Sequence, residues 1–417
     1  MSIASRCCIE VEVEAEVKVE VEVEAEDESG LDHEAFSSYS KEEAISDKVR
    51  IGVIGVGQIG KVHLERYREV AEAEVVAVAD IRTDEAQRVA QANGIPSVYD
   101  DYRALLARDD IQAVDVCLHN RLHAPATIAA LKAGKHVYCE KPMSWFYGEA
   151  RAMYDAAQRT GRMLHIQLNT LYSAEARAAK RLIDEGHLGA IYYAKSSHYR
   201  RRGRPWVDGY GTPAFVQKEA AGGGALVDMA VYHISRMLWL LGNPPVLSVS
   251  GNAFQMLDNM YADRRASGKY NVEELVMGLV RLAGGVTYFI EEAWAIQAEQ
   301  SDGDRIFCAH GGLRVDPLGY FTTLADMEMN ATFDLKTADW RWHQCNPLEA
   351  AYDHSQRHWV WAQLGRVPLL DTAGLALKTA LITEGIYLSA HLGREVTAAE
   401  IEQAEPEYRS RAAAARP

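Results

Sequence analysis

The stretch that decides the fold runs from Lys48 to Asp80 and reads KVRIGVIGVGQIGKVHLERYREVAEAEVVAVAD. Its short apolar start, Val49, Ile51, Val53 and Ile54, predicts a strand. The strand meets Gly55-Val56-Gly57-Gln58-Ile59-Gly60, and a helix-period segment follows from Val62 to Val70. Each glycine has a physical task. Gly55 permits the tight turn, Gly57 lets backbone approach a pyrophosphate, and Gly60 lets the helix pack close to the strand. The helix N-terminus, beginning at Gln58 and Ile59, offers unpaired N–H groups and a partial positive charge to phosphates. A second apolar run, Val75 to Ala79, ends at Asp80, 20 residues past Gly60. A carboxylate there accepts the ribose hydroxyls of NAD, so the stretch predicts a dinucleotide site.

Outward from this stretch, strand and helix patterns alternate. A helix over Thr83 to Ala92 closes at Asn93-Gly94. Pro96 to Val98 predicts a short strand and Tyr102 to Ala107 a helix. Asp110 to Leu118 is a buried strand, and Pro125 opens a helix to Lys132. His136 to Cys139 is another strand and leads into Glu140-Lys141-Pro142. A helix over Gly148 to Thr160 and a last strand over Met163 to Gln167 complete the unit. This alternation predicts a doubly wound parallel sheet, a Rossmann domain over residues 48–168. Ligands of such sheets sit at the carboxyl ends of the strands, where Leu118, Asn120 and Lys141 fall. After Asn169 the pattern changes. Runs at Ile191 to Ser196, Val246 to Ser250, Leu275 to Leu282, Val286 to Trp294 and Arg305 to Ala309 predict a mostly antiparallel, open sheet. Helices are expected at Ala174 to Glu185, Pro347 to Leu364 and Thr372 to His391. The second region is therefore an α/β domain over residues 169–400, followed by a tail, 401–417.

Composition narrows the class. An apolar fraction of 48 % and a charged fraction of 25 % describe an ordinary globular chain. No run of 18 apolar residues is present, so no membrane partner is expected, and no apolar segment suggests a secretory signal. Residues 1–48 hold 15 acidic against 4 basic residues, so only −4 of the net −15 falls on everything after. The Val-Glu alternation from Ile9 to Glu26 is low in complexity, and its like charges repel. Residues 1–47 are expected to be a disordered acidic extension, or the product of a start assigned too far upstream. Without a basic stripe, nucleic acid is not an expected partner. Six cysteines without metal-ligand spacing predict scattered reduced thiols and a cytoplasmic protein, with no metal.

Three further motifs join the glycine fingerprint: Asn120-x-x-His123, Glu140-Lys141-Pro142, and Gly222-Gly223-Gly224-Ala225-Leu226-Val227-Asp228. Together, with His63 three residues past Gly60, they resemble the Gfo/Idh/MocA oxidoreductases over roughly residues 48 to 400. The resemblance implies that Lys141 holds and polarises a substrate hydroxyl. A lowered pKa would let Lys141 relay a proton as well. It implies that Asp228 orients the site, and that the cofactor contacts include Leu118, Asn120, His123, Glu140 and Lys141. Relatives often carry Asp-x-x-x-His with that histidine as the acid/base. Here Tyr232 stands at that spacing and His233 one position on. Tyr232 is preferred, with His233 as the alternative. Trp206, beside Arg200 to Arg204, is expected to stack on a sugar face. Lys218 is expected to pair with Asp228 or reach substrate. Asp80 repels a 2′-phosphate and favours NAD, while Arg82 leaves NADP as the alternative.

These readings converge on an NAD(P)-dependent oxidoreductase acting on a secondary hydroxyl of a sugar, sugar derivative or cyclitol, assembled as a homodimer or homotetramer. Two rivals remain. One is a glycosidase or lyase that oxidises its sugar transiently and eliminates a substituent. The other is a non-catalytic dinucleotide-binding sensor, which would have no use for Lys141 and Asp228.

Overall fold

The computed structural model describes residues 48–404. The acidic extension and most of the expected tail lie outside the described residues. Six strands form the first sheet: β1 (Val49–Ile54), β2 (Ala73–Ala79), β3 (Ser97–Tyr99), β4 (Ala113–Val116), β5 (His136–Cys139) and β6 (Leu164–Ile166). All pairs are parallel, in the order β3-β2-β1-β4-β5-β6. The central strands β1 and β4 are covered on both faces, which is why they read as near-continuous apolar runs. The connecting helices are α1 (Gln58–Tyr67), α2 (Thr83–Asn93), α3 (Tyr102–Leu106), α4 (Asn120–Lys132) and α5 (Tyr147–Thr160). Strand order reverses between β1 and β4, so the ligand crevice of this sheet opens there.

Two helix starts differ from expectation. The helix expected from Val62 begins at Gln58, because Gly57 serves as its N-cap and the glycine turn feeds straight into it. The helix expected from Pro125 begins at Asn120, with Pro125 inside it. The turn ahead of the proline is held by Leu122 N–H donating to His119 O.

The second sheet has nine strands: β7 (Ile191–Tyr199), β8 (Val246–Phe254), β9 (Leu275–Leu282), β10 (Thr287–Ala293), β11 (Arg305–Cys308), β12 (Gly312–Arg314), β13 (Gly319–Leu324), β14 (Met327–Thr332) and β15 (Val396–Thr397). Only β7 and β10 pair in parallel; the other neighbours are antiparallel. Its helices are α6 (Ala174–Asp184), α7 (Lys218–Ala221), α8 (Val231–Leu240), α9 (Ala262–Gly268), α10 (Leu335–Cys345), α11 (Ser355–Gln363), α12 (Thr372–Leu392) and α13 (Ala398–Glu402). In β9, Val276, Val280 and Leu282 are buried while Met277, Leu279 and Arg281 face outward. One face of the sheet therefore packs on helices and the other lies open.

Two helices tie the sheets together. The long α12 packs on β8 and α8 of one layer and on α5 and β6 of the other, so it is apolar almost all round. The single helix expected over Pro347 to Leu364 is two pieces: a 3₁₀ turn, Pro347–Tyr352, and α11. Trp359 and Val360 of α11 return to the first sheet and join the cluster of Val49, Ile51, Val53, Leu64 and Tyr67. Of the six cysteines, Cys117, Cys139, Cys308 and Cys345 are described, and all four are free thiols.

Candidate active site

The glycine turn is built as its residues demand. Gly55 adopts φ +94°, and a Cβ there would lie 2.4 Å from Cys117 O. A Cβ on Gly60 would lie 2.1 Å from Gly55 O, so only glycine lets α1 approach β1. A Cβ on Gly57 would meet no atom within 4 Å. That side of the turn is an open cradle, and α1 has no side-chain cap on its first N–H groups. Gln58 and Ile59 are exposed at this N-terminus. The donor set fits a pyrophosphate. At the end of β2, Asp80 accepts from Val56 N–H at 3.0 Å and from Arg82 N–H at 2.9 Å. Although burial raises its pKa, these bonds more than reverse the effect, and the carboxylate stays ionised. Arg82 is turned back onto Asp80, its Nε 3.3 Å from Oδ1.

Lys141 stands past the end of β5. Its Nζ donates to Asp228 O at 2.9 Å and to Asp228 Oδ1 at 3.0 Å, and lies 4.7 Å from the centre of the Tyr232 ring. Asp228 lies in a single π-helical turn, Leu226–Ala230, that runs into α8. Its other oxygen accepts from Trp294 Nε1 at 3.1 Å. Glycines precede this turn because its start is jammed against a side chain and a backbone carbonyl. A Cβ on Gly223 would lie 2.1 Å from Tyr387 Oη, and one on Gly224 would lie 1.9 Å from Glu273 O. Glu273 accepts from Gly224 N–H, Leu226 N–H and Tyr387 Oη, a cap that the sequence did not reveal.

Electrostatics corrects one expectation. Burial alone would depress the Lys141 pKa, but Asp228, with Tyr232 and Glu140, more than reverses the effect and raises it. Lys141 is therefore a standing cation and not a proton relay. Burial raises the Tyr232 phenol, against the opposing pull of Lys141.

Several expected site residues lie elsewhere. His233 faces away from Lys141: its ring stacks on His198 at 3.5 Å, and its Nδ1 lies 3.5 Å from Asp304 Oδ2. One residue along a helix is about 100° of rotation, which separates it from Tyr232. His123 is buried, with Nδ1 2.7 Å from Pro142 O and Nε2 2.9 Å from Leu118 O. It grips backbone on both sides and presents no nitrogen to the crevice. Glu140 also points inward, towards His63, with Oε1 2.9 Å from Nε2. The Trp206 indole donates to Arg264 O, and the Arg264 guanidinium lies 4.6 Å from its centre, so that ring face is taken. Asn120 Nδ2 donates to Ala221 O, tying α4 to α7. Lys218 opens α7, where its N–H donates to Asn271 Oδ1, while the Asp228 oxygens meet Lys141 and Trp294. Near Asp228, Tyr210 was missed, and Arg200 was expected only as one of the arginine run. Arg200 Nη1 lies 3.2 Å from Tyr210 Oη, and Tyr210 also donates to Gly203 O. Burial and the Asp228 charge push the Tyr210 phenol up to about 12, against the opposing pull of Arg200. Nothing in the spacing of the arginine run singles out Arg200.

Residues 49–168 match a family described as "Oxidoreductase family, NAD-binding Rossmann fold", and residues 176–314 match "GFO/IDH/MocA C-terminal domain". The chain is 30 % identical over 363 residues to D-glucoside 3-dehydrogenase of Escherichia coli (strain K12), covering 85 % of this chain and 99 % of that one. It is 32 % identical over 196 residues to inositol 2-dehydrogenase of Salmonella typhimurium (strain LT2), covering 46 % and 54 %. Levoglucosan dehydrogenase, solved with NADH and levoglucosan, shares the fold with a TM-score of 0.70 at 23 % identity, over 84 % of this chain and 99 % of that one.

Proposed function

The chain belongs to the Gfo/Idh/MocA oxidoreductases, and on that premise we propose that it moves a hydride between NAD and a secondary hydroxyl or ketone of a sugar, sugar derivative or cyclitol. The observation that carries this reading is the Lys141–Asp228 pair, 3.0 Å apart and contributed by the two sheets' regions, at the carboxyl edge beside the glycine cradle. When bound, the nicotinamide supplies the hydride acceptor and donor. Gly55, Gly57, Gln58, Ile59 and Gly60 hold the pyrophosphate, and Asp80 takes the ribose hydroxyls. Its ionised carboxylate repels a 2′-phosphate, and Arg82 is engaged with it, so NAD is preferred over NADP.

The side chains divide the remaining work. The Lys141 ammonium donates to the substrate oxygen and stabilises the alkoxide as the hydride leaves its carbon. Asp228 keeps that ammonium charged and aimed. Tyr232 takes the hydroxyl proton during oxidation and returns it during reduction, and the neighbouring Lys141 charge eases formation of its phenolate. Arg200 and Tyr210, near Asp228, are substrate contacts in this reading. The open face around Met277, Leu279 and the stacked Tyr193–Phe307 rings supports a homodimer or homotetramer. Light scattering on the purified chain should give two or four copies, and a monomer at micromolar concentration removes that assignment. The free buried thiols suit a reducing, cytoplasmic setting.

Absorbance at 340 nm tests the reaction, with NAD and NADP offered against glucosides, inositols and 1,5-anhydrosugars. NAD reduction by at least one polyol is expected, with a loss on the order of a thousandfold in Lys141→Ala. A leaving group released at flat absorbance would replace this reading with transient oxidation and elimination.

A further inference from the structure

Beneath the Lys141 turn runs a buried charged row that the proposed reaction does not use. His63, in the second turn of α1, is 1 % exposed. Its Nδ1 lies 2.8 Å from Asp115 Oδ2 and its Nε2 2.9 Å from Glu140 Oε1. An imidazole flanked by a carboxylate oxygen at each nitrogen donates from both and is therefore the imidazolium. Burial alone would lower its pKa, but Asp115 and its neighbours raise it well above the ordinary value. The row is otherwise well satisfied. Asp115 also accepts from Tyr67 Oη at 2.9 Å and Cys117 Sγ at 3.3 Å, and Glu140 Oε2 accepts the Lys141 N–H at 3.1 Å.

Two carboxylates around one imidazolium leave one net negative charge, sealed from water. Lys141 also feels Glu140, but its ammonium is paired with Asp228, so the row and that pair together still carry one net negative charge. The row also spans the two halves of the site. His63 rides on the helix whose N-terminus forms the phosphate cradle, and Glu140 holds the backbone of the catalytic lysine.

We infer that the Asp115–His63–Glu140 row biases the cofactor site toward the oxidised, cationic nicotinamide over the reduced, neutral one. The inference rests on the NAD reading above. A nicotinamide would have to reach the carbon whose oxygen Lys141 holds, and Glu140 is the residue before Lys141. One unit charge acting over about 10 Å, at an effective dielectric of about 20, changes an affinity ratio by about tenfold. Glu140 and Asp115 are positioning residues here, since neither touches the reacting atoms.

Calorimetric titration of NAD and of NADH separately into the full chain tests it, using unmodified protein, Glu140→Gln and Asp115→Asn. Both substitutions are isosteric; each keeps one acceptor oxygen and replaces the other with an amide NH2, so Glu140→Gln retains an acceptor for either His63 or the Lys141 N–H. The ratio Kd(NADH)/Kd(NAD) should fall about tenfold in Glu140→Gln and severalfold in Asp115→Asn. A merely structural row would weaken both affinities together, and a ratio within twofold of the unmodified protein overturns the inference. A measurement free of folding defects is the unmodified chain itself, which should bind NAD at least as tightly as NADH. A tenfold preference for NADH overturns the inference even if a variant fails to fold. If NAD binds and only the ratio fails, the NAD reading survives; if neither form binds, both fall.

Discussion

The helical run from Leu226 to Leu240 carries two charged groups with opposite fates. Asp228, at its start, pairs with Lys141 while their side chains remain 29 % and 14 % exposed. Arg236, two turns on, pairs with Asp304 at 2.6 Å, and those side chains are 5 % and 0 % exposed. Both pairs have good geometry. The first is left ajar, and in the proposed reaction a substrate hydroxyl enters between its partners. The second is closed by Arg236, His198 and His233 around one carboxylate, and it pins α8 to the second sheet. Access separates a working charge from a structural one, more than the strength of the ion pair does.

The largest test of that contrast is Asp304→Ala, which leaves the Arg236 charge buried and unpaired. It should cost about 3–5 kcal/mol of stability in urea unfolding. A cost below about 1 kcal/mol would mean that the sealed pair holds nothing. Acid sharpens the test. Burial raises the Asp304 pKa, but His198, His233 and Arg236 more than reverse this and hold it well below the ordinary carboxylate range. Its contribution is therefore in place above the unfolded value near 4 and is lost as pH falls toward the folded value. The variant should lack that loss.

At the open pair the effect should appear in rate. Tyr232→Phe removes the hydroxyl while keeping the ring beneath Lys141, and should lower kcat for polyol oxidation about a hundredfold with little change in stability. Oxidation needs the phenol to give up its proton, and burial raises the Tyr232 pKa. The rate of the unmodified enzyme should thus still be climbing with pH at the ordinary phenol value of about 10, and the variant should lose that climb. An unchanged profile would move the acid/base role to another group.

What the sequence disclosed follows the same division. The β-α alternation and the glycine cradle were legible because each depends on contacts close in sequence or on a backbone requirement, whereas Lys141 and Asp228, which meet across the chain, were singled out by the resemblance of their motifs. Trp206 was not legible, since the groups that occupy its ring come from Arg264, far along the chain. Strands β12 to β14 escaped because β12 has only three residues and β14 buries none of its side chains, so it carries no apolar face to read. The direction of His233 was hidden for a subtler reason. A π-turn just ahead of α8 changes helical phase, and a spacing of one residue then cannot tell which ring faces Lys141.

The finest test falls on that residue, because His233 lies between the two charged regions. Its ring stacks on His198, and its Nδ1 sits 3.4 Å from Arg236 Nη2. Burial lowers its pKa, only partly offset by Asp304, so it is neutral at pH 7. If it belongs to the closed cluster, His233→Gln should leave kcat within about threefold and cost about 1 kcal/mol of stability through the lost stacking and hydrogen bonding. The sign of its pH dependence follows from the lowered pKa. The unfolded chain takes up a proton at His233 below about 6.5, where the folded chain resists it, so the unmodified protein loses stability as pH falls through that value. The variant lacks this loss, and the stability gap between the two should narrow from pH 7 to pH 5. A hundredfold fall in kcat with an unchanged gap would instead put His233 in the open pair, and the division drawn along this helix would fail.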